Sequence, residues 1–165
     1  MRNALRVIQE VSDDFAKTFG RAYGLFEEYR LDDAEIALVA ISSAAGEIKE
    51  VIDQMRSKGE KVGLLKIRSF RPFPYAQIAA ALSRAKIVTV LDRSASFGAH
   101  GPVFVEINTA VYNYSANRPL LLRPHHLPGH QKNPPTHLKG GEPNTLMPEN
   151  PIWLSLLFIA GTIAV

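Results

Sequence analysis

The run Asp92-Arg93-Ser94-Ala95-Ser96-Phe97-Gly98-Ala99-His100-Gly101 gathers a carboxylate, an imidazole, two hydroxyls and a guanidinium in one loop. Asp92, Ser96 and His100 are the residue types of a hydrolase triad, in which a carboxylate orients an imidazole that takes the proton of a serine. All three lie within nine positions, however, and no strand–Gly-x-Ser-x-Gly–helix elbow is present to activate a serine. That spacing argues against hydrolysis. A second reading is positional. The loop follows an apolar run and precedes Pro102, a residue suited to the first turn of a helix. Ligands of parallel sheets collect beyond the carboxyl ends of strands, where helix N-termini attract anions. Arg93, Ser96, Gly98 and Gly101 are therefore candidates for an anion-binding or subunit-interface loop. The plainer alternative is that Gly98 and Gly101 permit positive φ in a tight strand-to-helix turn.

A second candidate is the turn around Arg71-Pro72-Phe73-Pro74. Arg68 and Arg71 flank Ser69-Phe70 and place cations beside aromatic rings on a stiff segment. Arginine and aromatic residues dominate interface hot spots, so Arg68, Arg71, Pro72 and Phe73 are candidates for an interface turn. A packed strand-end turn with solvated arginines explains the same residues equally well. His125, His126, His130 and His137 are metal-ligand types, but they lie among prolines with no regular scaffold to hold a coordination geometry. No metal site is expected. Asn113-Tyr114-Ser115 matches a glycosylation sequon, read as accidental because no secretion signal precedes it.

The absence of cysteine excludes disulfides, thiolate zinc sites and iron–sulfur ligation by this chain. The net charge of +3 is small, and basic residues alternate with acidic ones instead of forming a stripe, which argues against nucleic acid as a partner. A cytoplasmic location is expected. From Trp153 to Val165 the chain is nearly all apolar, but as a helix it would span roughly 20 Å against a hydrocarbon core of about 30 Å. This is too short for a confident membrane span.

The elements that must position these residues follow from periodicity. Leu5, Ile8, Val11, Phe15 and Phe19 recur at helical spacing and predict an amphipathic helix over 2–19. Ala34–Ile41, Val62–Ile67 and Ile87–Leu91 are short apolar runs that predict buried strands. Between them Ile48, Val51, Ile52 and Met55 predict a helix capped by Ser43 and stopped by Gly59, and Ile78 and Leu82 predict another over Tyr75–Ala85. A last helix should run from Pro102 to about Asn113. Three strands alternating with three helices imply a parallel sheet with helices on both faces. Eight of 11 prolines lie between Pro119 and Pro151, so the domain is expected to end near 115. An irregular Pro/His-rich tail (116–151) and a short apolar segment (152–165) should follow.

Phe19-Gly20-Arg21-Ala22-Tyr23-Gly24, Ser42-Ser43-Ala44-Ala45-Gly46, Gly59-Glu60-Lys61-Val62-Gly63-Leu64-Leu65, Arg71-Pro72-Phe73-Pro74, Asp92-Arg93, Ser96-Phe97-Gly98 and Gly101-Pro102 occur in that order. Over 1–115 this series resembles core domain II of the alpha subunit of the pyruvate:ferredoxin (2-oxoacid:ferredoxin) oxidoreductases. The resemblance implies a three-layer α/β/α sandwich like the transketolase C-terminal domain, its mostly parallel sheet bearing an antiparallel edge strand. It implies an enzyme that oxidatively decarboxylates a 2-oxoacid to an acyl-CoA and passes electrons to ferredoxin. Thiamine diphosphate, magnesium, iron–sulfur clusters and coenzyme A belong to that complex, bound by the remaining alpha-subunit domain and the beta, gamma and delta subunits. No catalytic residue carries over, so the isolated chain is expected to be inactive. After Asn117 the sequence departs from the family pattern, which is read as a shifted frame beyond residue 121. The rival readings are a free-standing small-ligand-binding α/β domain and a membrane-tethered adaptor.

Overall fold

The computed structural model describes residues 3–92, 94 and 98–123. The elements are helix α1 (Ala4–Phe19), strand β1 (Phe26–Tyr29), β2 (Ile36–Ile41), α2 (Ala44–Ser57), β3 (Val62–Ile67), α3 (Tyr75–Leu82), β4 (Ile87–Val90), α4 (Pro102–Tyr114) and β5 (Leu120–Leu122). The five strands form one sheet in the order β1-β3-β2-β4-β5. β2 pairs in parallel with β3 and β4, and β4 with β5, whereas β1 runs antiparallel along the outer edge of β3. This is the expected α/β/α sandwich with a mostly parallel sheet and an antiparallel edge.

The three predicted strands are apolar on both faces because both faces are covered. Ala37, Val39, Leu65, Ile67, Val88 and Val90 join α3 and α4 in one buried cluster, with Ile78, Leu82, Val103, Ile107 and Val111 supplied by the helices. Alternate residues Ile36, Leu38, Val62 and Leu64 point the other way, toward α2, whose Ile48, Ile52 and Met55 are buried. Each such side chain contributes roughly 1.5–3 kcal/mol on burial, before ordering entropy is subtracted.

Several expectations are corrected in detail. α3 ends at Leu82, not Ala85. Ser43 precedes α2 but its side chain makes no capping bond; Glu47 in the first turn is the favourable charge there. The sheet does not end at 115, because Leu120–Leu122 adds a fifth strand beside Ile87–Thr89. Proline density masked that strand, which is only three residues long and depends on β4 for its register. The compact unit that holds the sheet runs to Arg123. The expected tail over 124–151, its histidines and the apolar segment 152–165 lie outside the described residues. Among the described residues, no helix is long and apolar enough to cross a membrane.

Candidate functional site

Because β2, β3 and β4 are parallel, the turn after β3 and the loop after β4 emerge at the same edge of the sheet. Both candidate sites therefore share one end of the domain. Arg93 and Ser96 lie outside the described residues. Gly98 and Gly101 are described, and they are glycines for different reasons. Gly98 sits at φ +69°, where an L side chain is strained. Gly101 has an ordinary extended backbone (φ −60°, ψ 148°), but a side chain there would collide with the Asp92 carboxylate and the Ser94 carbonyl.

That carboxylate is the organising group of the loop. Asp92 Oδ2 accepts the backbone N–H of Val103 at 2.8 Å and of Phe104 at 3.4 Å, and Oδ1 accepts that of Ser94 at 3.0 Å. Val103 and Phe104 are the second and third residues of α4, so a side chain from the end of β4 satisfies the helix's unpaired amides. The positive end of α4 thus already holds an anion, the protein's own. The same bonds dispose of the triad reading: Asp92 is committed to amides, and His100 lies exposed with its ring 5.2 Å from that of Phe104.

In the turn, Arg68 and Arg71 have separate fates. Arg68 Nη1 donates to the Tyr23 carbonyl and Nη2 to Glu27, while its guanidinium lies 5.1 Å from the Tyr23 ring centre. It clamps the segment between α1 and β1 onto the end of β3. Lys49 of α2 also binds Glu27. Lys49 foremost, with Arg68 behind it, holds the Glu27 carboxyl below the usual range despite partial burial, which acts in the opposite direction. Arg71 instead keeps 56% of its side-chain surface exposed, stacks 4.3 Å above Phe70 and reaches Glu106 of α4 at 2.6 Å. The Arg71–Pro72 peptide is cis. Pro72 is half-buried and Phe73 is buried in the core, where it touches Phe70 and Tyr75 edge-on or tilted.

Glu106 ties the turn after β3 to α4, and sequence reasoning missed it. Its carboxylate accepts from Arg71 and from the Tyr75 hydroxyl, and only 13% of its side chain is exposed. The bond to Glu106, aided by burial, raises the Tyr75 pKa above 10.0. Tyr75 also stacks on Tyr114, with centroids 6.0 Å apart. A lone glutamate on a helix carries no local signal of such a role.

Among the described residues no group of three or more His, Asp or Glu side chains could hold a metal ion. Among the described residues the set does not fit a diphosphate with its metal: the N-terminus of α4 is filled by Asp92, and no described carboxylate cluster accompanies it.

These features define a helix-coated, mostly parallel α/β domain in which Asp92 closes the N-terminus of α4. Residues 34–130 match the family described as pyruvate:ferredoxin oxidoreductase core domain II, and the chain belongs to that family. Pyruvate synthase subunit PorA of Thermotoga maritima is 46% identical over 121 residues, covering 73% of this chain and 31% of the relative. NADH-dependent phenylglyoxylate dehydrogenase subunit alpha of Aromatoleum evansii is 38% identical over 163 residues, covering 94% of this chain and 39% of the relative. A solved 2-oxoglutarate:ferredoxin oxidoreductase from Magnetococcus marinus aligns with a TM-score of 0.45 and 17% identity, over 67% of this chain and 18% of that one. The chain spans about a third of the length of the curated relatives it matches.

Proposed function

We propose that this chain is a non-catalytic assembly domain of the alpha subunit of a 2-oxoacid:ferredoxin oxidoreductase. The complex would oxidatively decarboxylate pyruvate or a related 2-oxoacid, in the cytoplasm, with thiamine diphosphate, magnesium, iron–sulfur clusters and coenzyme A. Those groups are held by the remaining alpha-subunit domain and the beta, gamma and delta subunits, and ferredoxin takes electrons through the complex. The observation that carries the reading is the strand-end edge: where a ligand-binding α/β domain offers free helix amides, α4 of this family member is closed by Asp92.

The candidate residues then divide by role. Arg71 and Pro72 present the interface turn, with Glu106 fixing the guanidinium; Phe73 and Arg68 hold that turn and its neighbour in place from within. Gly98 and Gly101 shape the second loop, on which Arg93 and Ser96 are further interface candidates.

The test is purification of the tagged chain from its own cells. It should bring down the other oxidoreductase subunits in fixed stoichiometry, and Arg71→Glu should weaken that association while leaving the circular dichroism spectrum unchanged. The purified chain alone, given pyruvate, thiamine diphosphate, magnesium, coenzyme A and ferredoxin, should show no turnover. Turnover by the chain alone, or recovery without partners, would refute the proposal.

A further inference from the structure

α1 is a 16-residue amphipathic helix in which no residue is buried. Its polar side is laced by Arg6–Glu10 at 2.6 Å, Gln9–Asp13 at 2.9 Å and Lys17–Asp14 at 3.1 Å. The apolar arc opposite is only half covered. Leu5, Ile8, Ser12 and Phe15 are partly sheltered, and Ser12 Oγ accepts the Gly24 N–H at 2.7 Å. Beside them Val7 is 44% exposed, Val11 62%, Phe19 59% and Tyr23 47%. Phe15 lies between the rings of Phe19 and Tyr23, at 4.5 and 5.6 Å, so these aromatic side chains continue the strip. An isolated helix of this length is marginal in water, and its stability ordinarily comes from burying its apolar face.

We infer that the strip Val7, Val11, Phe19 and Tyr23 is the surface on which the remainder of the alpha subunit docks. The matched family domain begins at residue 34, beyond α1, so the helix is not part of the common core. It nevertheless belongs to the subunit: an alignment covering 94% of the chain leaves about ten residues out and must include the second half of α1 in the Aromatoleum evansii relative. Roughly two-thirds of each such relative lies outside the matched region, which is polypeptide enough for a separate domain able to cover the strip. The inference rests on the proposed function, and it adds the docking element and its contact residues.

Hydrogen exchange tests it in two proteins: the 165-residue chain, and a full-length hybrid in which this chain replaces the matching third of Thermotoga maritima PorA. Amides of α1 should exchange at least about tenfold more slowly in the hybrid than in the free chain. Val11→Glu should abolish that added protection, whereas Gln9→Glu on the polar face should not. Val11 is mostly exposed, so the free V11E chain should keep its circular dichroism spectrum. A hybrid that assembles with its partner subunits while α1 exchanges as fast as in the free chain overturns the inference and leaves the proposed function standing. A hybrid that folds but does not assemble overturns both. Concentration-dependent dimerisation of the free chain, abolished by V11E, overturns the inference by making a second copy the occupant.

Discussion

Asp92 and Gly101 are a matched pair: the carboxylate accepts the Val103 amide at 2.8 Å by occupying the space that any side chain at position 101 would need. Asp92→Ala should cost about 1 kcal/mol, the usual loss for a helix-capping side chain. Gly101→Ala should cost about 1–3 kcal/mol, because a methyl is forced into filled space. The double variant should lose less than the sum of the two single losses, since the first change removes part of the second's clash. Coupling should be incomplete, because the Ser94 carbonyl remains in the way. Urea denaturation of the four proteins measures this, and strict additivity would show that the pair is not in contact.

Gly63 on β3 makes a similar prediction at the opposite end of the strand. A Cβ there would come within 2.5 Å of the Arg30 carbonyl oxygen and 2.9 Å of the Leu31 Cα, both backbone atoms that cannot swing aside. Gly63→Ala should therefore destabilise by about 1–3 kcal/mol despite adding apolar surface to a strand. A thermal midpoint equal to or above that of the natural chain would contradict the close approach.

Three separate sets of ion pairs predict an acid limb. Glu27 is held below its ordinary value of 4.5 by Lys49 and Arg68, Asp33 is held down by Arg56, and Glu35 by Lys86 and Lys61. A carboxyl whose folded pKa is depressed contributes stability above its unfolded value and loses it as pH falls through the folded one. Stability should thus be level from neutrality to about pH 5 and decline below it. Glu27→Gln should lower the plateau and flatten the decline, as urea midpoints between pH 3 and 7 would show. An unchanged acid limb in E27Q would remove Glu27 from the account.

Tyr75 predicts the alkaline counterpart. Its proton is retained in the folded state by donation to Glu106, so ultraviolet titration should show a tyrosine ionising above 10.0 that disappears in Tyr75→Phe. Since the folded pKa is raised, this contribution to stability is complete below the unfolded value and is lost as pH rises through the folded one. Losing the hydroxyl should cost about 1 kcal/mol at neutral pH. Glu106→Gln should move the tyrosine's ionisation down toward its ordinary value. Failure to move it would assign the shift to burial alone.

The apolar runs at Ile36–Ile41, Val62–Ile67 and Ile87–Val90 were legible in the amino-acid order, because a strand covered on both faces must be apolar at every position and needs no distant partner to announce itself. The three intervening helices were legible for the complementary reason: one buried stripe each, at a period of 3.6. The family, too, could be read from the order of short motifs. Local sequence was silent about β1, whose Phe26-Glu27-Glu28-Tyr29 is half polar and becomes a strand only because β3, some 40 residues later, offers it an edge and Lys49 and Arg68 neutralise Glu27. It was equally silent about β5, about Arg68 turning inward while Arg71 stays out, and about Glu106 tying the β3 turn to α4. Asp92 shows the difference most directly. Its residue type advertised proton chemistry, and tertiary structure made it a cap, because the amides of α4 reach it only after the chain has travelled ten residues and come back.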